Sequence, residues 1–258
     1  MTRGAVSLGL AGSLGPDAVA QIAPAVESAG FDTLWINDTP GGDALAALAA
    51  AARTTDRLRL ATGVVPVDRR PADAIAADVA SLGLPLDRLT LGIGSGAAKQ
   101  GALARVAEAV SVLHEAGVPR VLVGALGPKM RRTGVELAEG VLLNWVPPTE
   151  ARVQADSLHA IAPGAHIAVY VRTAIDPAAR ARLAAETAAY AAFPNYAANF
   201  ERMGVDAADT TIRDVTELWG ALEAYAAAAD EVVLRAIVPE DTVEAYVDFA
   251  SRTAPAPR

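Results

Sequence analysis

Eight times over, this chain runs a short apolar strand into a turn of Gly, Pro or Asp and then into an Ala-rich stretch. The strands read Val6–Leu10, Thr33–Asn37, Leu58–Gly63, Leu89–Ile93, Arg120–Val123, Gly140–Leu143, Ile167–Arg172 and Glu231–Arg235. Eight strand–helix units in 258 residues is the size of an α/β fold of the (β/α)8, or TIM-barrel, type. In such a barrel the strands run from bottom to top and the helices run back down. Chemistry sits at the strand C-termini, so a residue's place within its unit says which end it occupies.

Helix starts and stops follow the same period. Pro16-Asp17 opens a helix whose apolar stripe Val19, Ile22, Ala23 and Val26 ends at Gly30. Asp43 opens the second helix, Pro71 the third, Lys99 the fourth, Lys129 the fifth and Pro147-Pro148 the sixth. The seventh strand is followed by an excess: Pro177–Phe193, Pro194–Met203 and Thr211–Ala229 read as three helices where one is needed. The insertion is expected over or beside the top face. No linker rich in Ser or Gly divides the chain, so residues 1–258 read as one domain. A doubly wound sheet would need a Gly-x-Gly-x-x-Gly turn after a strand, and the chain has none.

Composition narrows the function classes. Without Cys there are no disulfides, thiolate nucleophiles or zinc–cysteine sites. A net charge of −8 argues against nucleic acid as the main partner. No apolar run approaches the roughly 20 residues of a membrane span. Met1 to Gly15 loosely resembles a signal peptide, but Ser7, Gly9 and Gly12 interrupt it. It reads as the first strand of a cytoplasmic protein.

All three histidines fall at the bottom: His114 and His159 late in helices, His166 opening a strand. A Ser-His-Asp triad or a histidine metal site at the top therefore has no histidine to use. Asp38 and Asp68 are the only top-face carboxylates near strand ends, too few for a metal. Other polar groups expected at the top include Asn37, Thr39, Thr62, Ser95, Lys99, Asn144, Tyr170 and Arg172. Asp38 has a second reading as a helix cap, and Asp68-Arg69-Arg70 one as a solvated loop. What remains is glycine: Gly63, Gly94, Gly96, Gly124 and Gly127 end three successive strands. Glycine lets main chain approach a ligand closely, and Lys129 at a helix start makes an anion seat beside it. The pattern favours a planar or phosphorylated ligand, and a cofactor would supply the reactivity the side chains lack.

Five segments, in order and at strand ends, carry a resemblance. They are Ala29-Gly30-Phe31-Asp32-Thr33-Leu34-Trp35-Ile36-Asn37-Asp38, Leu58-Arg59-Leu60-Ala61-Thr62-Gly63-Val64-Val65, Asp87-Arg88-Leu89-Thr90-Leu91-Gly92-Ile93-Gly94-Ser95-Gly96, Val123-Gly124-Ala125-Leu126-Gly127-Pro128-Lys129-Met130 and Glu139-Gly140-Val141-Leu142-Leu143-Asn144-Trp145. Together they resemble the luciferase-like monooxygenase family of flavin- and deazaflavin-dependent barrels. The resemblance implies coenzyme F420, or alternatively FMN, across the strand C-termini. It implies hydride transfer between the deazaflavin and a small organic substrate, and a homodimer. It points to Asp38 near the ring. A non-prolyl cis peptide behind the ring would fall at Gly63–Val64. Gly94, Ser95 and Gly96 would line the ring edge or ribityl chain, Gly124, Ala125, Gly127, Pro128 and Lys129 would hold the phosphate, and Thr62 and Met130 count among the cofactor-binding residues. Asn144 would touch substrate or cofactor, and Tyr170 and Asp68 are weak proton-donor candidates.

The chain also departs from the family pattern. Thr39 stands where sugar-phosphate dehydrogenases of the group carry His, and Ala97 where they carry an acid. Substrate contacts are then expected near Tyr190, Asn195 and Tyr196, which read equally as packing and caps. An FMN-dependent monooxygenase and a catalytically silent cofactor-binding barrel stay open as alternatives.

Overall fold

The computed structural model describes residues 4–97 and 100–256. Lys99, expected at the top face, lies outside them. The strands are β1 (Ala5–Ala11), β2 (Thr33–Asn37), β3 (Arg59–Thr62), β4 (Val65–Pro66), β5 (Leu89–Gly94), β6 (Val121–Gly124), β7 (Gly140–Asn144), β8 (His166–Thr173) and β9 (Glu231–Ala236). All pair in parallel in the order β3-β2-β1-β9-β8-β7-β6-β5-β4, and a β3–β5 pairing closes the ring. β3 and β4 are two halves of one barrel strand. β3 pairs with the lower part of β5 (Leu60↔Leu89) and β4 with its upper part (Val65↔Ile93). The peptide between the halves, Gly63–Val64, is cis. The barrel thus has eight strand positions, and β1 stands opposite β6.

The barrel closes because the strands alternate. Leu8, Leu10, Leu34, Ile36, Leu91, Ile93, Val169 and Leu234 face outward and are fully buried under the helices. Each contributes roughly 1.5–3 kcal/mol of apolar burial. The other phase points inward, where Trp35, Ala61, Leu122, Leu142, Ala168, Tyr170 and Val233 form a separate cluster. Gly9 lies under the Tyr170 ring, where a Cβ would stand 2.5 Å from the phenolic oxygen. That missing side chain lets Tyr170 reach across the barrel.

The helices are α1 (Gly15–Ser28), α2 (Ala44–Ala52), α3 (Ala72–Ser81), α4 (Ala102–Glu115), α5 (Pro128–Leu137), α6 (Pro148–His159), α7 (Arg180–Ala192), α8 (Pro194–Met203), α9 (Val215–Ala228) and α10 (Val243–Arg252). Side-chain oxygens cap several of them. Asp43 accepts the N–H of Leu45 and Ala46, Asp214 that of Thr216, and Thr242 that of Ala245. α4 begins three residues later than expected, after Gly101 at φ 68°. α9 packs on α6 and β9 as a barrel helix, so α7 and α8 are the insertion.

The bottom holds the histidines. His114 meets Glu139, His159 meets Asp230 and the Ala165 carbonyl, and His166 meets Glu231 at 2.7 Å. Glu231 is buried and also accepts from Ser7 Oγ (2.5 Å) and Trp35 Nε1 (2.7 Å).

Candidate active site

Inward alternation delivers a fixed set of residues to the top of the barrel. They are Ala11, Asn37, Gly63, Gly94, Gly124, Asn144, Arg172 and Arg235, one from each strand position. The set is lopsided. The β3, β5 and β6 side ends in glycine, while β2, β7, β8 and β9 end in amides and guanidiniums.

The glycine side is not bare main chain, and here the structure corrects the sequence reading. A Cβ on Gly94 would stand 2.7 Å from Val64 Cγ2, and one on Gly124 would stand 2.9 Å from Val64 Cγ1. The glycines make room for the Val64 side chain. Val64 stays partly exposed, so the flat support at this spot is an isopropyl group backed by glycine. Thr62 is a second correction. It is fully buried in the wall and donates its hydroxyl to the Gly92 carbonyl at 2.8 Å, so its side chain cannot touch a ligand on the face.

Asn37 is the hub of the polar side. Its Nδ2 donates to the Gly63 carbonyl, and its Oδ1 accepts from Tyr170 Oη (2.9 Å) and Arg235 Nε (3.1 Å). The Tyr170 phenol is pushed up to about 12 by burial. It is 2% exposed and donates to Asn37, so it does not serve as proton donor. Asn144 accepts from Arg172 Nη1. Arg172 is buried, pairs with Glu186 at 3.0 Å, and lies 4.3 Å from the Trp145 ring centroid and 4.8 Å from that of Tyr190.

The loops are pinned by carboxylates. Asp38 is nearly buried, 3.0 Å from Arg69 Nη2, and accepts the Ala44 N–H at 3.3 Å. It therefore joins the loop after β2 to the loop after β4. Asp68 accepts the Ala97 N–H at 2.8 Å, beside Gly96 at φ 69°. It holds the turn that follows Ser95. Across the mouth, α5 starts at Pro128 after Gly127 with no side-chain cap, and Gly127 has open space where its Cβ would be. Lys129 is exposed and Met130 packs partly into the core. Ala125 donates its N–H to the Leu142 carbonyl. Arg131 anchors on the Leu126 carbonyl, and its pKa is lowered by burial and by the Arg202 charge. The α5 N-terminus is thus an electropositive corner with unsatisfied amides.

Opposite it, between β1, β9, α7 and α10, lies a cavity of about 320 Å³. Ser13, Thr39, Arg182, Glu186, Arg235, Asp241 and Tyr246 line it. Asp241 accepts from Arg182 and Tyr246 at 2.7 and 2.8 Å. Burial alone would raise its pKa, but these two bonds and the Arg182 and Arg235 charges hold it down. The Thr39 hydroxyl is buried without a partner. Arg182, Glu186, Arg235, Asp241 and Tyr246 were not among the sequence candidates. Arg235 was within reach, since it ends the last strand in the inward phase of Glu231 and Val233. The other four sit on helices and loops, where strand phase is silent. Tyr190 and Tyr196, expected near substrate, meet edge to face (4.9 Å), and Tyr190 also lies against Trp145 (5.0 Å), while Asn195 is exposed.

Residues 2–116 match the family described as luciferase-like monooxygenase. The match covers the N-terminal part of the chain, the segment from β1 through α4. No curated protein matches the chain in sequence. Its fold is shared with solved structures at low identity. The coenzyme F420-dependent tetrahydromethanopterin reductase from Methanopyrus kandleri superposes with a TM-score of 0.78 at 18% identity, over 97% of this chain and 98% of that one. An F420-dependent secondary alcohol dehydrogenase, in complex with an F420–acetone adduct, gives 0.75 at 16% over the whole of both chains. A monooxygenase from Streptomyces bottropensis gives 0.72 at 19% over 97% of each.

Proposed function

We propose that this barrel is an F420-dependent oxidoreductase that passes hydride between the deazaflavin and a small organic substrate. The observation that carries the reading is the Val64 side chain, half sunk over Gly94 and Gly124 between the uncapped α5 N-terminus and the polar cavity. The two structures of F420-dependent enzymes among the fold's relatives support the same branch.

When bound, F420 supplies a two-electron hydride carrier. Val64 would back one face of the ring, leaving the other toward the cavity. The α5 amides and Lys129 would hold the phosphate. Asn37, fixed by Tyr170 and Arg235, keeps the Gly63 carbonyl in place and so fixes the support under the ring. The cavity would orient the substrate, and α7 and α8 would exclude water from the β7–β8 side. Of its two carboxylates, Asp241 is committed to Arg182 and Tyr246, whereas Glu186 gives only Oε1 to Arg172. Glu186 is accordingly the group assigned to exchange a proton with the substrate.

Titration of the purified protein with F420 and with FMN tests the reading. F420 is expected to bind at micromolar concentration and FMN not to saturate. FMN binding without F420 binding overturns it in favour of the monooxygenase, which consumes oxygen with reduced FMN. Asp38→Ala is expected to weaken F420 by unpinning the two loops, and unchanged affinity removes Asp38 from the site.

A further inference from the structure

Arg182, Arg235, Glu186 and Asp241 line the cavity between β1, β9, α7 and α10, and Arg172 lies behind Glu186, which makes three guanidiniums to two carboxylates. Arg172 Nε meets Glu186 Oε1 at 3.0 Å, and Arg182 Nη2 meets Asp241 Oδ2 at 2.7 Å. Each acid therefore has its own guanidinium. Arg235 is left over. Its Nε donates to the Asn37 amide oxygen at 3.1 Å and its Nη1 to the Ala236 carbonyl, both neutral acceptors. Among the described residues no carboxylate stands within ion-pair distance of it. A partly buried guanidinium whose direct hydrogen bonds go to neutral acceptors, and which feels Asp241 only from beyond ion-pair distance, favours an anion from outside, and its planar fork suits a carboxylate or phosphate.

We infer that this cavity takes a small substrate bearing an oxyanion, carboxylate or phosphate, with Arg235 as its anchor. The word substrate rests on the oxidoreductase reading above, but the anion site itself does not. At about 320 Å³ the cavity is at the small end for ligand sites. It is also distinct from the α5 corner. β1 and β6 face each other across the ring, so the barrel mouth offers two anion seats on opposite sides. Glu186 and Asp241 would repel an anion were they unpaired. Held by Arg172 and Arg182, they leave the positive sign of Arg235 in place.

Calorimetric titration of the purified chain with pyruvate, with its neutral amide pyruvamide and with inorganic phosphate tests the inference, first alone and then with saturating F420. Saturable binding of pyruvate or phosphate, weakened by salt, is expected, with pyruvamide at least about tenfold weaker. Arg235→Met is expected to weaken the anion on the order of tenfold to a hundredfold, and Arg235→Lys less. Equal binding of pyruvate and pyruvamide, or no saturable binding of either anion, overturns the proposal, and both are read on the unmodified protein. So does anion binding that survives Arg235→Met. Phosphate binding that Lys129→Ala abolishes and Arg235→Met leaves intact belongs to the α5 corner and also overturns it. Preference for phosphate over pyruvate at Arg235 names a phosphate ester as the class. Anion binding without F420 binding keeps the site and removes the F420 reading, and F420 binding without anion binding does the reverse.

Discussion

Two glycines two residues apart on β5 show how local surroundings set the cost of one methyl group. A Cβ on Gly92 would stand 1.9 Å from the Thr62 carbonyl oxygen, part of the barrel wall. Backbone has nowhere to go, so Gly92→Ala is expected to cost about 2 kcal/mol or more, read from the urea midpoint. A Cβ on Gly94 meets only the Val64 methyl at 2.7 Å. Gly94→Ala should shift stability by less than about 1 kcal/mol, yet tilt Val64 and weaken F420 about tenfold. Glu231 gives a prediction at the other end of the barrel. Burial would raise its pKa, but hydrogen bonds from His166, Ser7 and Trp35 and the His166 charge hold it below the ordinary glutamate value. A depressed folded-state pKa contributes stability above the unfolded value and loses it as pH falls through the folded one. Unfolding free energy should therefore drop in acid below the ordinary glutamate range, and Glu231→Gln should flatten that drop. Glu231→Ala leaves three donors without their acceptor and is expected to cost about 2–4 kcal/mol.

At the scale of elements, the insertion after β8 is what distinguishes this barrel's mouth. The excess of helix was legible because Pro177, Pro194 and the Ala-rich stripes punctuate it. What it covers was not, because a helix's sequence shows its apolar face and not the surface that face meets. Trp145, Phe200 and Ala207 form a cluster of their own, with Tyr190 and Tyr196 packed on it. Tyr190 also lies over Arg172, so one ring joins α7 to the end of β8. Tyr190→Ala is expected to raise amide exchange through α7 and α8 while the barrel strands keep their protection. Uniform loss of protection over the whole chain would show that the insertion does not open as a separate unit. The loops after β2 and β4 are likewise joined by a contact that strand phase cannot supply, the Asp38–Arg69 pair.

For the whole molecule, a bound cofactor adds stability by mass action. F420 at a hundredfold excess over its Kd should add about 2.7 kcal/mol and raise the Tm by about 5–10 °C. FMN at the same concentration should leave the Tm unchanged, and a differential scan reads both. The homodimer is carried as a proposal, and sedimentation equilibrium at twice the chain mass is its expected outcome. Among the described residues no helix is long and apolar enough to cross a membrane.

The chain's own pattern determined the barrel, because period-two strands and period-3.6 helices are local and each strand's inward phase can be counted along it. The same phase brought Asn37, Gly63, Gly94, Gly124, Asn144 and Arg235 to one end. Only the tertiary structure decided what those positions do. Val64 fills the space the glycines leave, Thr62 is absorbed into the wall, and Arg235 has no ion pair among the described residues. Each outcome depends on neighbours that approach from elsewhere in the chain, such as Glu186 on α7 and Asp241 before α10. Packing and charge pairing are summed over distances in space that the spacing of residues along the sequence does not encode.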